Sequence, residues 1–121
     1  MKLTELNPQW VGAGGEGIYN ADGTKAQKRT GVGISFYCPC PDCTSKRIGN
    51  EDHDFYYRVF VAFENPVDGG PAHDPRPNQQ WKRVGEDFAA LTLTPSIQRH
   101  RIGEDGCTWH GYITNGEVIT A

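Results

Sequence analysis

Three of the chain's four cysteines stand close together in the sequence, with two prolines between them. Cys38, Cys40 and Cys43 follow an alternating apolar segment, and Cys107 precedes another such segment much later in the chain. Four thiolates around one ion form the closed tetrahedral donor set of a structural zinc site. Because the ends of two neighbouring strands can meet in space, the sequence predicts one structural zinc ion held by all four cysteines.

Other interpretations of the cysteines remain open at this level. His53 or His110 could supply a nitrogen ligand in place of Cys107, since histidine is a common zinc ligand. Cys40 and Cys43 match the C-x-x-C spacing of redox proteins, but the βαβ context that supports a redox role is missing. Disulfides are disfavoured because cysteines this close in sequence pair poorly and cytoplasmic thiols stay reduced.

A serine and a histidine are the second set of residues that could do chemistry. Ser96 follows Pro95 between two strand-like segments, and this Pro-Ser step can turn the serine hydroxyl out of the sheet. His110 lies in an alternating segment whose Trp109 and Ile113 share one side, so the imidazole faces the other. A serine is a useful nucleophile only with a base in hydrogen-bond reach, and His110 is that base if the two strands are neighbours.

A carboxylate normally orients the imidazole of such a pair, and the sequence does not choose among its acidic residues. The candidates are Glu51, Asp54, Asp87, Glu104 and Asp105. No G-x-S-x-G motif supports a hydrolase. Taken alone, the two residues also fit a turn serine and a half-exposed strand histidine.

The composition limits the kind of domain that positions these residues. With 121 residues, 36% of them hydrophobic, 15 glycines and 8 prolines, the chain favours turns and short strands over long helices. We predict one domain over 1–121, mainly β, with a small antiparallel sheet or partly open barrel of short strands and long loops. A hydrophobic core this small usually requires additional stabilisation by a metal ion or disulfides, which the zinc site would provide.

Apolar alternation predicts the strands. We expect them at 32–38, 55–64, 91–94, 96–102, 107–114 and 117–120. The segment 55–64 is the most apolar and is expected at the centre of the sheet. Asn115-Gly116 predicts a tight hairpin between the last two strands, and residues 86–91 could form one helical turn.

The remaining segments are predicted to be irregular. Residues 1–31 form a Gly-rich arm, ahead of a zinc-stapled β core over 32–121 with a Pro-rich loop at 65–80. The arm's apolar anchors are Leu3, Leu6, Trp10, Val11 and Ile18. Gly12–Gly17 matches G-x-G-x-x-G, but without a strand before it and a helix after it the match is typical of a loop.

The charge pattern argues against several classes of partner. Twelve Lys and Arg against fifteen Asp and Glu give a net charge of −3, and the basic residues are scattered, unlike a nucleic-acid-binding surface. No segment approaches the ~20 apolar residues of a membrane span, and the N-terminus does not resemble a signal peptide. We therefore expect a cytoplasmic protein that binds neither nucleic acid nor membrane.

The order of these motifs resembles a family of small bacterial and phage zinc-knuckle proteins. The pattern is a strand running into a cysteine knuckle (36–40), a lone Trp81 ahead of a Gly-Asp-type turn (85–87), a T-[LF]-[ST]-P-S-[IV] segment (92–97) and a Cys–His segment with a hairpin (107–118). The family is catalogued as a domain of unknown function, and some members are mislabelled as ammonia monooxygenases.

The resemblance spans roughly residues 34–120, with departures in the third knuckle cysteine and in the two residues between Cys107 and His110. Some relatives lie in bacterial Bub-type operons for ubiquitin-like conjugation, as serine peptidases thought to process or remove the ubiquitin-like protein. The resemblance therefore implies that Ser96 is the nucleophile, that His110 is the general base and that the cysteines bind zinc structurally.

The same resemblance implies a protein substrate with an extended tail, which would bind by strand addition. Trp81 and Trp109 are candidates to line that groove, with core packing as the alternative for both. Two other function classes remain open. The chain could be a non-enzymatic, zinc-stapled module that binds a partner through its sheet edge, or a zinc hydrolase with three protein ligands and Glu51 as the base.

Overall fold

The computed structural model describes residues 1–12, 17–18, 24, 31–49, 57–65, 80–85, 87–100 and 108–121. Within this part the chain forms two short helices and seven strands. The helices are the 3₁₀ helix Leu3–Leu6 and the α-helix α1 (Pro41–Ile48). The strands are β1 (Gln9–Val11), β2 (Gly33–Tyr37), β3 (Arg58–Ala62), β4 (Lys82–Val84), β5 (Thr92–His100), β6 (Thr108–Thr114) and β7 (Glu117–Thr120).

The strands form two antiparallel sheets, with the orders β1-β2-β3 and β4-β5-β6-β7. A parallel bridge between Phe63 and Trp81 links the end of β3 to the start of β4. The mainly β fold class is therefore confirmed. The expected single sheet or partly open barrel is instead a pair of small sheets, which do not close into a barrel within the described residues.

One apolar core receives side chains from both sheets. Trp10 of β1 stacks on Phe88, with ring centroids 4.7 Å apart. Phe36 of β2 meets Trp109 of β6 edge-on at 6.2 Å. Aromatic pairs of this kind contribute about 0.5–1.5 kcal/mol beyond the area they bury. These contacts hold the sheet that leads into the cysteines against the sheet that carries Ser96.

Residues 1–12, the first part of the expected irregular arm, contain two short regular elements. The N–H of Leu3, in the 3₁₀ helix, donates to the Gly116 carbonyl at 2.8 Å, and Trp10 of β1 pairs with Ile34 of β2. The anchors Leu3, Leu6, Trp10 and Val11 are buried, as predicted. A strand of three residues is too short to show an alternating pattern, which is why β1 was missed.

The alternation of β2 and β3 is confirmed. The expectation that β3 lies at the centre of its sheet is wrong. Ile34 and Phe36 of β2 are fully buried, and so is Val61 of β3. The central strand of this sheet is β2, because β1 pairs with its other edge. The central position was expected because Phe60 gives β3 an apolar residue on its second face as well. The Phe60 side chain is in fact 44% exposed.

Helix α1 contains the last of the three knuckle cysteines, Cys43, and was not predicted. Pro41 lies in its first turn, a favourable position because its missing N–H has no helical partner to lose. Cys40 caps the helix by accepting the Cys43 N–H on its sulfur at 3.2 Å, and Lys46 and Arg47 complement the helix dipole in the last turn. Neither described helix is long and apolar enough to cross a membrane.

The second sheet contains one continuous strand, β5, where two strands separated at Pro95 were predicted. Close by, residues 86–91 were expected to form one helical turn. Residues 88–90 form a turn outside any helix, which the Ala90 N–H closes by donating to the Asp87 carbonyl at 3.3 Å. The predicted hairpin is confirmed. Its turn residues, Asn115 and Gly116, have φ values of 49° and 78°, as the type I′ turn requires.

Candidate functional site

A bulge in β5 changes the direction of Ser96. Leu93 pairs with Ile113 and Ile97 pairs with Gly111, so three residues of β5 lie opposite one residue of β6. Bulges bend a strand and re-aim its side chains. The proline of this segment lies inside the bulge, where its missing N–H interrupts no regular ladder. The Pro-Ser kink expected from the sequence therefore takes the form of a bulge.

Strand β6 alternates strictly between exposed and buried residues, and His110 lies on its exposed face. Trp109 and Ile113 are buried on the opposite face, as the alternation predicted. Between them, Gly111 allows β6 and β7 to approach closely. A Cβ added to it would lie 2.5 Å from the Ile119 carbonyl oxygen and even closer to the Trp109 ring. This position, next to His110, therefore requires glycine.

The His110 imidazole and the Ser96 hydroxyl lie within hydrogen-bonding distance, with 2.9 Å between Nε2 and Oγ. The two residues meet because β5 and β6 are neighbours in the sheet. When the ring proton is on Nδ1, the Nε2 lone pair can accept the hydroxyl proton. This is the arrangement in which a histidine can activate a serine as a general base.

Among the residues that the structure describes, no carboxylate forms a hydrogen bond or ion pair with the His110 ring. The residue directly across the sheet is Gln98, and the Tyr112 ring lies 6.0 Å from the imidazole, centroid to centroid. Asp87 is described and exposed. The other acidic candidates lie outside the described residues: Glu51, Asp54, Glu104 and Asp105.

The two candidate groove residues occupy different environments. Trp81 is partly exposed, and its indole N–H donates to the Ser96 carbonyl at 3.1 Å. Trp109 is 2% exposed, packs against Phe36 and donates its indole N–H to Thr120 Oγ1 at 3.1 Å. Trp109 thus lies in the core, the alternative that was left open for both residues, whereas Trp81 lies beside the serine.

The contact between Trp81 and Ser96 was missed at the sequence level. A hydrogen bond from a side chain to a distant backbone carbonyl produces no spacing pattern. The available signal was the resemblance, which includes a lone tryptophan upstream of the Pro-Ser segment.

The three knuckle thiols form one cluster that could hold a metal ion. The sulfurs of Cys38, Cys40 and Cys43 lie within 4.8 Å of one another. In a tetrahedral site with Zn–S bonds of about 2.3 Å, sulfurs are ~3.8 Å apart, so the cluster fits such an ion after small movements. The bond by which Cys40 caps α1, from the Cys43 N–H to the Cys40 sulfur, lies within this cluster, and bonds of this kind orient metal ligands.

The described part of the chain does not test the fourth ligand predicted from the sequence. Cys107, the predicted ligand, and His53, one alternative, both lie in undescribed ranges. His110, the other alternative, contacts Ser96 and is not part of the thiol cluster.

Comparison with known proteins gives a family match. The model of a family described as bacterial ubiquitination-like system serine protease (BubE) matches residues 17–121. This range includes the thiol cluster, both members of the serine–histidine pair and the hairpin. No curated protein and no solved structure matches the chain.

Proposed function

Since this chain belongs to the BubE family, serine proteases of a bacterial ubiquitination-like system, we propose that it is a serine peptidase that processes a ubiquitin-like protein or removes it from conjugates. Ser96 is the nucleophile and His110 is the general base. The observation that carries the assignment is the 2.9 Å distance between Ser96 Oγ and His110 Nε2, because a serine requires a base at this range to attack a carbonyl.

The proposed reaction is acyl transfer in two steps. His110 Nε2 takes the hydroxyl proton while Ser96 Oγ bonds to the carbonyl carbon at the end of the ubiquitin-like protein. The C–N bond then breaks, and the leaving amine takes the proton from His110, which leaves an ester on Ser96. Water attacks this ester with His110 again accepting the proton, and the serine hydroxyl is restored when the carboxyl product leaves.

The negative charge that develops on the carbonyl oxygen requires hydrogen-bond donors nearby. We assign this role to backbone N–H groups at and after Ser96, since Pro95 carries no N–H. The bulge supports this assignment for the Ser96 N–H, because Ser96 lies outside the regular β5–β6 pairing, which resumes at Ile97. Loss of one such donor typically lowers the rate by about 10²- to 10³-fold.

The exposed face of β6 and β7 is the proposed binding surface for the substrate's tail. Tyr112 and Ile119 pair across the two strands on the face that carries His110, and they are 43% and 51% exposed. Their side chains offer apolar surface to an extended tail that lies across this face. The buried Trp109 supports this face from the core side.

A zinc ion held by Cys38, Cys40, Cys43 and Cys107 is the remaining part of the proposal. Bound there, the ion would stabilise the fold and supply no catalytic group, because four thiolates leave no open coordination position. The described thiols lie after β2 and in α1, whereas Ser96 and His110 lie on the other sheet. This separation supports a structural role for the ion.

Intact-mass measurement after treatment with a fluorophosphonate probe tests the nucleophile. We expect one adduct on the wild-type protein and none on Ser96→Ala or His110→Ala, because the probe reacts with serines activated by a base. Ser45→Ala is the matched control, since Ser45 is exposed on α1 and its removal should leave the adduct in place. Each variant must retain the wild-type circular dichroism spectrum and metal content.

Cleavage of a ubiquitin-like protein fused through its C-terminus to a reporter tests the substrate class. We expect release of the reporter by the wild type and none by Ser96→Ala. A folded protein that takes no adduct and cleaves no fusion would contradict the peptidase and favour a binding module. Activity that survives in Ser96→Ala but disappears on chelation, before the fold is lost, would favour a zinc hydrolase.

A further inference from the structure

The backbone of Ser96 is held by the side chain of Trp81, the residue immediately before β4. The indole N–H of Trp81 donates to the Ser96 carbonyl at 3.1 Å. Trp81 itself is fixed by two backbone hydrogen bonds next to β3: its N–H donates to Ala62 at 2.9 Å, and its carbonyl accepts the Glu64 N–H at 2.8 Å. Ser96 is therefore tied through Trp81 to the other sheet.

The bulge makes this bond important for the direction of the serine side chain. In a regular ladder, the neighbouring strands fix the orientation of every peptide plane, but residues in a bulge lose part of that pairing. The Trp81 bond fixes the peptide plane that follows Ser96. The direction of the Cα–Cβ bond depends on that plane, and so does the 2.9 Å distance from Oγ to His110.

We propose that Trp81 is a positioning residue for the nucleophile, which acts through its indole N–H on the Ser96 carbonyl. The proposal rests on the function proposed above, and it differs from a role for Trp81 as a surface that binds substrate. A positioning residue changes the rate of the covalent step, whereas a binding surface changes the affinity for the reacting molecule.

The chain contains a matched control for this hydrogen bond. Trp10 is packed in the core, and its indole nitrogen has no hydrogen-bond partner among the residues that the structure describes. Replacement of either tryptophan by 3-benzothienylalanine, in which sulfur replaces the N–H, preserves the shape of the ring. At Trp81 the replacement removes the bond to Ser96, whereas at Trp10 it removes no bond.

The measurement is the rate of fluorophosphonate labelling at saturating probe, which separates the limiting rate from probe affinity. In the labelling step, Ser96 Oγ bonds to phosphorus, fluoride leaves and the proton passes to His110. We expect the replacement at Trp81 to lower the limiting rate by about 10- to 100-fold, because a displacement of about 1 Å can cost 10²-fold. Probe affinity should change by less than about twofold, and the replacement at Trp10 should leave both values within about twofold of wild type.

Three outcomes would overturn the proposal. An unchanged limiting rate after the replacement at Trp81 would show that the bond does not position the serine. Weaker probe affinity with an unchanged rate would show a binding surface instead. If the wild type is not labelled, the proposed function itself fails, and the role of Trp81 fails with it. Trp81→Phe, measured below its melting temperature, provides a second variant that also lacks the donor.

Discussion

The thiol cluster and the Ser96–His110 pair are built from very different spans of sequence. Cys38, Cys40 and Cys43 come together through the turn after β2 and the first turn of α1. Ser96 and His110 are 14 positions apart and meet because β5 pairs with β6 around a bulge. Two of the three thiols are buried, whereas His110 is exposed.

This difference predicts how each region responds to change. The thiol cluster depends on local backbone geometry, so a shift between distant strands should leave it intact. The serine–histidine pair depends on register, and a slip of one residue would move a side chain to the opposite face of the sheet. Damage to the thiols should mainly lower stability, whereas damage to the second sheet should mainly lower reactivity.

The largest expected effect is that of Cys43→Ser, which tests the thiol cluster. Cys43 is fully buried, and serine would replace a sulfur of the proposed metal site with a hydroxyl, which is a poor zinc ligand. We expect loss of bound metal and a melting temperature lower by at least about 10 °C, the equivalent of ~3 kcal/mol. Elemental analysis and thermal unfolding measure the two effects.

Ser45→Ala, on the same helix but exposed, is the control for this substitution and should change neither quantity. A Cys43→Ser protein with wild-type metal content and melting temperature would contradict a metal site at the cluster.

A smaller effect is expected from Gly111→Ala, which tests the second sheet alone. The added Cβ would collide with the Trp109 ring and the Ile119 carbonyl, and relief of that collision must move β6 and therefore His110. We expect a loss of about 1–3 kcal/mol in unfolding free energy and at least about tenfold slower fluorophosphonate labelling, with unchanged metal content.

Gly49→Ala makes the same chemical change where space is available, since its nearest neighbour would be the Lys46 carbonyl oxygen at 3.9 Å. This control should retain wild-type stability and labelling. Loss of metal from Gly111→Ala would show that the two regions are not independent.

The smallest effect is expected from Tyr112→Ala, which tests the proposed binding surface. Removal of this exposed ring should raise KM for a ubiquitin-like fusion by about threefold to tenfold, the equivalent of ~1 kcal/mol, with kcat nearly unchanged. Steady-state kinetics measures the effect. Ile48→Ala, which truncates an exposed apolar side chain on α1, should change neither constant, and an equal rise in KM there would contradict the assigned surface.

Structural features that are determined by a few consecutive residues could be predicted from the sequence. The alternation of β2, the Asn115-Gly116 turn and the spacing of the three knuckle cysteines each involve only a few consecutive residues. The strands β1 and β4 have three residues each and show no usable period. The sequence predicted two strands in place of β5 because proline normally ends a strand. The bulge accommodates Pro95 within one strand.

The sequence by itself determined the mainly β class, the position of the hairpin, the thiol cluster and the pairing of Ser96 with His110 as a hypothesis. Only the tertiary structure decided that these two side chains lie 2.9 Å apart, that Trp109 enters the core and that the N–H of Trp81 reaches the Ser96 carbonyl. The physical reason is range. Periodicity and turn preferences act over a few residues, whereas distances between strands depend on register and bulges, which the packing of the whole core determines.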